Sequence, residues 1–182
     1  MKIKIIYLSV VLLCSGMSLA VAEPYIGTSL GFSDSDFCDD VDPNLDCDAS
    51  GGAGKLFGGY KFIPGFGLEL AYIASMNMSM SMSNSHHYSR PHITLSGLNF
   101  SAVGFLPVGE GTNLTAKIGM FSWQTKGSFD SYSTSESGSD LSLGVGVDLE
   151  LNESFTLRGE LDRFKIDNGS ATLLSAGVMW NF

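Results

Sequence analysis

The chain contains no apolar run after Glu23 that is long enough to cross a bilayer as a helix. Such a helix needs about 20 mainly apolar residues. This absence excludes a transmembrane helix from the region that follows Glu23. If that region is embedded in a membrane, strands must cross it, because only helices and closed barrels satisfy every backbone polar group in lipid.

Basic residues are also scarce. The chain has 10 Lys and Arg against 19 Asp and Glu, for a net charge of −9. Lys2 and Lys4 lie in a segment that we expect to be removed, and without them the net charge is −11. A nucleic-acid partner is therefore not expected, because its phosphates require cationic side chains.

The first 22 residues have the three parts of a secretory signal. Lys2 and Lys4 supply the basic start, residues 5–13 form a short apolar stretch, and residues 20–22 are small residues ahead of a cleavage site. The apolar stretch is too short to span a bilayer. We therefore predict a signal peptide over residues 1–22 and one exported domain over residues 23–182.

Cysteine is limited to three residues, Cys14, Cys38 and Cys47. Cys14 follows Leu13, where a lipoprotein signal normally has a small residue, so lipid attachment is disfavoured. Cys38 and Cys47 remain after export into an oxidising compartment, and we predict a disulfide between them. A redox centre would normally use closer spacing, so this bridge is expected to fasten a surface loop.

Side chains alternate between apolar and small or polar along much of the exported region, as they do in strands. Residues 141–151 show the pattern most clearly, with Leu and Val at odd positions and Ser, Gly, Asp and Glu at even ones. Eight such segments begin near Tyr25, Ala53, Phe66, Leu98, Leu114, Leu141, Phe155 and Ser170. The sequence therefore predicts eight strands.

The connections between these segments alternate in length. Three are short, at residues 63–65, 107–112 and 152–154. Three are long, at residues 34–52, 77–91 and 124–139, and a short turn at residues 167–169 shares their side. Short turns at one rim and long loops at the other are typical of outer-membrane barrels. We predict an all-β fold, an eight-stranded antiparallel transmembrane up-and-down β-barrel.

Alternation alone also fits a soluble lipocalin-like barrel or a sandwich, which place apolar residues inside. Four aromatic residues near segment ends favour the membrane instead, because aromatic girdles lie at lipid interfaces. The predicted interface aromatics are Tyr72, Trp123, Trp180 and Phe182. The last strand alternates up to Phe182, with Leu174, Val178 and Trp180 on the predicted lipid side.

Five motifs together resemble the transmembrane domain of the outer membrane protein A family. They are F-G-L-E-L-A-Y (66–72), L-T-A-K-I-G-M-F-S-W (114–123), G-V-D-L-E-L (146–151), T-L-R-G-E-L-D-R-F (156–164) and the closing A-G-V-M-W-N-F. The resemblance implies a Gram-negative outer-membrane barrel whose closing strand is read by the barrel-assembly machinery. Since the chain stops at Phe182, we expect a short member without the periplasmic peptidoglycan-binding domain.

The family pairs charged side chains inside the barrel, and the resemblance assigns this role here to Glu69, Lys117, Asp148 and Arg158. Alternation independently points all four inward. Buried opposite charges must be paired, because desolvation costs several kcal/mol for each ion. The family usually has a basic residue inside the fourth strand, where this chain has Val103. The network is therefore expected to pack the lumen, with a narrow regulated conduit as the alternative.

Two regions hold residue types that bind metals. Asp40, Asp42, Asn44 and Asp46 have part of the spacing of a calcium loop, but the turn glycine and the final Glu are absent. These acids could instead bridge to lipopolysaccharide phosphates through divalent ions. The second region holds thioether and imidazole groups that suit copper, namely Met76, Met78, Met80, Met82, His86, His87 and His92. At strand spacing the methionines continue the outward side of Tyr72, so we predict no metal site and no cofactor.

The sequence indicates a non-enzymatic protein with a structural, envelope-integrity role and an adhesion-like surface role through its long loops. A narrow porin-like channel for ions or small solutes is the alternative. An enzyme that modifies lipid A is disfavoured, because no residue orients His87 toward Ser89 or His92 toward Thr94 as a nucleophile would require. Expected partners are outer-membrane lipid, lipopolysaccharide, the barrel-assembly machinery and a host or surface ligand.

Overall fold

Eight antiparallel strands form the fold, and the strand order closes on itself. The computed structural model describes residues 23–35, 51–79, 92–129, 132–166 and 169–182. The strands are β1 (Glu23–Ser35), β2 (Gly51–Ile63), β3 (Phe66–Ser79), β4 (His92–Gly109), β5 (Thr112–Phe129), β6 (Tyr132–Glu150), β7 (Phe155–Ile166) and β8 (Gly169–Asn181). The predicted eight-stranded barrel is confirmed. None of the described residues belongs to a helix long and apolar enough to span a bilayer.

The barrel closes where β8 pairs with β1. The ladder runs from Tyr25 opposite Asn181 to Ser35 opposite Ala171. Closure gives the first and last strands the backbone partners that an open sheet edge would lack. In lipid this is a requirement, because no water is present to satisfy unpaired backbone groups.

The three predicted short connections lie together at one rim, which we call the short-turn rim. Gly65 and Gly111 have φ angles of 90° and 66°, and glycine adopts these values without the strain that a Cβ would cause. In the third turn the side chain of Asn152 accepts hydrogen bonds from the backbone of Ser154 and Phe155, both at 2.9 Å. Turn residues thus fix the strand register at this rim.

Alternation along each strand separates two surfaces. On β7 every second side chain, from Thr156 to Ile166, is buried in the lumen, and the intervening ones are exposed. The outward positions form an apolar belt around the barrel, which includes Leu70, Phe100, Ile118, Leu143, Val145, Leu157, Leu161 and Leu174. The apolar residues therefore face away from the axis, as a lipid-facing wall requires.

The prediction of a long loop over residues 124–139 is wrong. β5 continues to Phe129 and β6 begins at Tyr132, with pairing from Trp123 opposite Gly138 to Phe129 opposite Tyr132. The strands extend past the apolar belt, where polar side chains can occupy both faces. Hydrophobic alternation therefore gave no signal there, although the backbone ladder continues.

The strand pairing also shows where Met76 and Met78 lie. β3 extends through Met76 and Met78, which pair with Leu95 and Ile93, so part of the predicted loop at residues 77–91 is strand. A register shift lies between Ile73 and Met76, and it interrupts the alternation from which an outward face was predicted. The side chains of residues 75–79 lie outside the described set, as do residues 80–91.

Candidate functional site

Among the described residues, seven charged side chains meet in the lumen and lie next to two apolar clusters. The first cluster lies toward the rim opposite the short-turn rim, which we call the long-connection rim, and we call it the loop-side cluster. It comprises Ala53, Ile73, Leu95, Phe121, Trp123, Phe164, Ile166, Ala171 and Leu173. The mouth-side cluster comprises Tyr25, Phe57, Ala71, Val103, Phe105 and Met179. The strand sequences set this order: on β5, Lys117 precedes Phe121, and on β7, Asp162 precedes Phe164.

Arg158 is the best-enclosed of the charges, with a side chain that is fully buried. Its Nε and Nη2 donate to the two carboxylate oxygens of Asp148, both at 2.7 Å. Its Nη1 donates to Glu69 Oε2, also at 2.7 Å. The guanidinium carbon lies 5.4 Å and 5.1 Å from the ring centroids of Tyr25 and Phe57. This fork geometry suits Arg and would not be reproduced by Lys.

Glu69 connects this arginine to a lysine on β5. Its second oxygen accepts a hydrogen bond from Lys117 Nζ at 2.6 Å, and the Tyr25 hydroxyl donates to Oε2 at 3.0 Å. Glu69 therefore accepts from two cations and one hydroxyl. A buried carboxylate needs such donors, because it has lost its hydration.

Lys117 also contacts Glu160, and Glu160 in turn contacts Lys55 on β2. Lys55 Nζ donates to Asp162 Oδ2 at 2.6 Å. The seven residues form one ion-pair chain of alternating sign, in the order Asp148, Arg158, Glu69, Lys117, Glu160, Lys55 and Asp162. Three cations meet four carboxylates, so the fully ionised chain has a net charge of −1.

This ion-pair chain crosses the lumen between strands β2, β3, β5, β6 and β7. All seven side chains are nearly inaccessible to solvent. Desolvating each ion is costly, and mutual attraction offsets that cost only if each charge keeps its partners. The arrangement therefore packs the lumen and fixes the relative positions of five strands.

The mouth of the lumen at the short-turn rim is more open. A cavity of about 600 Å³ is lined there by residues including Glu23, Lys61, Phe105, Asn113 and Glu150. Lys61 pairs with Glu23 at 3.5 Å and lies 5.1 Å from the Phe105 ring centroid. Exposed pairs of this kind contribute little, about 0–1 kcal/mol.

The structure brings the four predicted interior charges, Glu69, Lys117, Asp148 and Arg158, into contact. Sequence reasoning missed Lys55, and it left Glu160 and Asp162 out of the network. Glu160 and Asp162 had the same signal as Arg158, since all three share one face of β7.

Lys55 had a weaker signal, because Leu56 and Phe57 place apolar side chains on both faces of β2. Lys55 also supplies a third lumen cation to the site. Val103, where the family usually has a basic residue, is buried in the mouth-side cluster opposite Lys117.

The predicted interface aromatics divide into two groups. Tyr72, Trp180 and Phe182 are exposed on the outer side. The prediction that Trp123 belongs with them is wrong: it is only 7% exposed and lies in the loop-side cluster. Its position is odd on a strand whose outward residues are even, and its Nε1 donates to Asp140 Oδ2 at 2.9 Å. Gly138 leaves room for the indole, since a Cβ there would lie 2.6 Å from it.

Several predicted sites lie outside the described residues. They include the predicted disulfide of Cys38 and Cys47, most of the acidic first loop, Met80, Met82, His86 and His87. His92 begins β4, and its side chain is likewise not described. Among the residues that are described, no group of three His, Cys, Asp or Glu side chains could hold a metal ion.

A family model for the outer membrane protein beta-barrel domain matches residues 6–182. The chain belongs to this family. No curated protein is similar enough in sequence to match. Membership agrees with the closed barrel and the outward apolar belt, and it identifies an outer-membrane protein.

Solved outer-membrane barrels have the same fold. Ail, the attachment invasion locus protein of Yersinia pestis, is 17% identical with a TM-score of 0.59, over 88% of this chain and 97% of that one. Neisserial surface protein A is 14% identical with a TM-score of 0.64, over 88% and 97%. OprG from Pseudomonas aeruginosa is 14% identical with a TM-score of 0.62, over 90% and 96%. At these identities the likeness establishes the fold alone.

Proposed function

We propose that this protein is a non-enzymatic outer-membrane barrel that supports envelope integrity and mediates adhesion-like surface contacts through its long connections. The observation that carries the proposal is the filled lumen. The ion-pair chain and the loop-side cluster occupy the interior with side chains whose contacts are to one another. A barrel filled in this way serves as a rigid support, and the connections at the long-connection rim then carry specificity.

The acidic composition of the first long connection limits the chemical class of the surface ligand. Residues 34–48 contain seven Asp and no Lys or Arg. The Yersinia pestis protein Ail was solved in complex with the heparin analogue sucrose octasulfate. A sulfated polyanion would be repelled by the acidic connection of this chain, so we propose a basic ligand or one that is bridged by divalent cations.

The barrel and the connections have separable roles under this proposal. Residues 36–50 would be replaced by a Gly-Ser linker of equal length, with Cys38 and Cys47 both removed. We expect the variant to restore resistance to detergent in a deletion strain but to lose binding to host-cell or matrix surfaces. The wild-type gene serves as the positive control, and a heat-shift gel reports whether the variant folds. Unchanged surface binding would contradict the adhesion-like role.

A narrow channel is the alternative, because the same lumen also contains buried hydroxyls of Ser29, Ser101, Thr115 and Ser175 beside the charges. Planar-bilayer recording separates the two functions. We expect no steady conductance across a range of voltages. Single-channel steps that disappear in Glu69→Ala or Lys117→Ala would replace the structural proposal with a pore.

The enzymatic alternative is tested in the same deletion strain. We expect the lipid A species, measured by mass spectrometry, to be identical with and without the protein. A mass shift equal to one acyl chain would contradict the non-enzymatic assignment.

We also propose that the barrel-assembly machinery recognises β8, which pairs with β1 and ends beside Phe182. Replacing Phe182 with Ser would then lower the amount of folded protein in the outer membrane. Phe155→Ser, on the neighbouring strand at the same rim, is the matched control because Phe155 pairs with Trp180. Equal loss in both variants would indicate a general packing effect.

A further inference from the structure

Charged side chains are rare on the outer wall, and the basic ones lie side by side. Among the strand side chains that the structure describes, those that face outward with a charge are Asp34 on β1 and Arg163 and Lys165 on β7. Arg163 and Lys165 are two residues apart, so they lie on the same face of one strand. Both are exposed.

The height of this pair along the barrel is set by the strand register. Leu161 pairs with Leu174, and both belong to the apolar belt. The next outward position on β7 is Arg163, which pairs with Thr172, and the one after it is Lys165, which pairs with Ser170. On the β8 side the two cations therefore begin where the belt ends, toward the long-connection rim, whereas on the β6 side Arg163 pairs with Leu143 of the belt.

The arginine head extends away from the belt. Its Nη2 donates to Ser170 Oγ at 2.8 Å, although Ser170 is the register partner of Lys165. The guanidinium thus lies against the Ser170 hydroxyl, level with the backbone of Lys165. Basic side chains at the end of a lipid-facing strand place their charges at the headgroup level.

We propose that Arg163, Lys165 and Ser170 form a seat for a phosphate group of lipid A in the outer leaflet. A guanidinium fork binds phosphate through two parallel hydrogen bonds, and the ammonium adds a point charge. The acyl chains of the same lipid would lie against Leu161 and Leu174 directly below. The seat rests on one part of the proposed function, namely that the protein lies in the outer membrane with its long connections on the outside of the cell. It does not depend on a ligand of those connections.

Asp34 provides a competing explanation for the arginine. It pairs with Thr172 from the other side of β8, so Arg163 and Asp34 flank the same residue. An internal ion pair would use one cation and leave the second at the headgroup boundary. The two explanations differ in outcome, because Asp34→Asn should raise phosphate binding if Arg163 belongs to the seat and should leave lipid retention unchanged if Arg163 serves Asp34 alone.

The test compares lipid retention by purified, folded protein. Vesicles of phosphatidylcholine would contain either diphosphorylated lipid A or dephosphorylated lipid A, with EDTA present to prevent bridging by divalent ions. After extraction into mild detergent, native mass spectrometry counts the lipid A that remains bound. We expect Arg163→Gln/Lys165→Gln to retain the phosphorylated form about tenfold less than wild type, as loss of charge-assisted hydrogen bonds predicts.

Lys61→Gln is the matched control, since it removes one positive charge at the opposite rim and should keep wild-type retention. Lys165→Gln alone removes an exposed side chain, so folding is preserved, and we expect an intermediate loss. Equal retention by wild type and the double variant would overturn the seat, as would a phosphate preference that survives in the double variant. Unchanged surface binding after replacement of residues 36–50, together with an intact phosphate preference, would refute the adhesion-like role and leave the seat standing.

Discussion

Leu173 and Leu174 are neighbours on β8, but they belong to different environments. Leu173 is 0% exposed in the loop-side cluster, whereas Leu174 is 61% exposed on the outer wall. Inside, each side chain touches fixed protein atoms packed as in a solid. Outside, the neighbours are lipid chains that can adjust to a change of shape. The lumen should therefore be intolerant of substitution and the wall tolerant of it, provided the wall stays apolar.

The two environments treat charge differently as well. Within the lumen, Arg158 contacts Asp148 and Glu69 at hydrogen-bonding distance and has no access to water. On the wall, Arg163 and Lys165 stand at the edge of the apolar belt, where a long side chain can carry its charge toward water or a headgroup, and Arg163 also donates to Ser170. The stability of a charged side chain therefore depends on its ion-pair partners if it lies in the lumen, and on its position along the barrel axis if it lies on the wall.

The largest effect is expected from Arg158→Met, which keeps the length of the side chain and removes the charge. Asp148 would then be buried without a cation and Glu69 would keep only Lys117, and breaking a buried pair in this way costs about 3–5 kcal/mol. The measurement is the free energy of unfolding in urea from lipid vesicles. Lys61→Met is the control, and it should change stability by about 0–1 kcal/mol because its pair with Glu23 is exposed. Similar losses in both variants would contradict the dependence on buried partners.

The comparison of Leu173 and Leu174 can be tested by the same substitution at both positions. Leu173→Ala leaves a cavity among side chains that cannot fully collapse, so we expect a loss of about 2–5 kcal/mol. Leu174→Ala leaves a space that lipid can fill, and we expect about 1 kcal/mol, near the transfer value of the lost methylenes. Unfolding in urea measures both. A larger loss at Leu174 would reverse the assignment of the two surfaces.

A smaller effect is expected from Glu160→Gln. Glu160 contacts both Lys55 and Lys117, but each lysine keeps another carboxylate, Asp162 or Glu69. We therefore expect a loss of about 1.5–3 kcal/mol, as for a hydrogen bond to a charged group. A double-mutant cycle with Lys117→Met gives the coupling between the two residues. A coupling energy near zero would show that the ion-pair chain is not continuous at this link.

Glu150→Gln at the mouth of the lumen is the control for this carboxylate. Its side chain accepts a hydrogen bond from Asn113 at 3.1 Å in an exposed setting, and Gln can accept the same bond. Surface substitutions of this kind usually stay within about 0.5 kcal/mol.

Most of the fold was predictable because a strand that faces lipid on one side must alternate. The clean alternation of residues 141–151 and the short turns located the barrel, its strand number and its inward positions. The prediction failed beyond the apolar belt. At residues 124–139 polar residues occupy most consecutive positions, so the extension of β5 and β6 left no hydrophobic alternation.

The interior was predictable only in part. Arg158 and Asp148 lie on strands with one apolar face, so their direction was clear. Lys55 lies on β2, where Leu56 and Phe57 make both faces apolar and direction depends on the register with neighbouring strands. Trp123 was misplaced because aromatic residues near strand ends are expected in lipid. Its actual direction follows from alternation with Lys117 and Phe121, and it needs the space beside Gly138.

The smallest effect is expected when one hydroxyl oxygen is removed from the lumen and, for comparison, one from the wall. Tyr25→Phe deletes the hydroxyl that donates to Glu69 at 3.0 Å in the lumen. Because Arg158 and Lys117 still donate to Glu69, we expect a loss of only about 0.5–1.5 kcal/mol. Tyr72→Phe is the matched change on the wall, where the side chain is 48% exposed.

The Tyr72 hydroxyl on the wall can form hydrogen bonds with water or lipid headgroups. Its loss should therefore change the unfolding free energy by less than about 0.5 kcal/mol. The difference between the two Tyr→Phe variants therefore isolates the value of a hydrogen bond inside the ion-pair chain, free of the change in ring packing. If both variants unfold at the same urea concentration, the Tyr25 hydroxyl does not support Glu69, and Glu69 is held by its two cations alone.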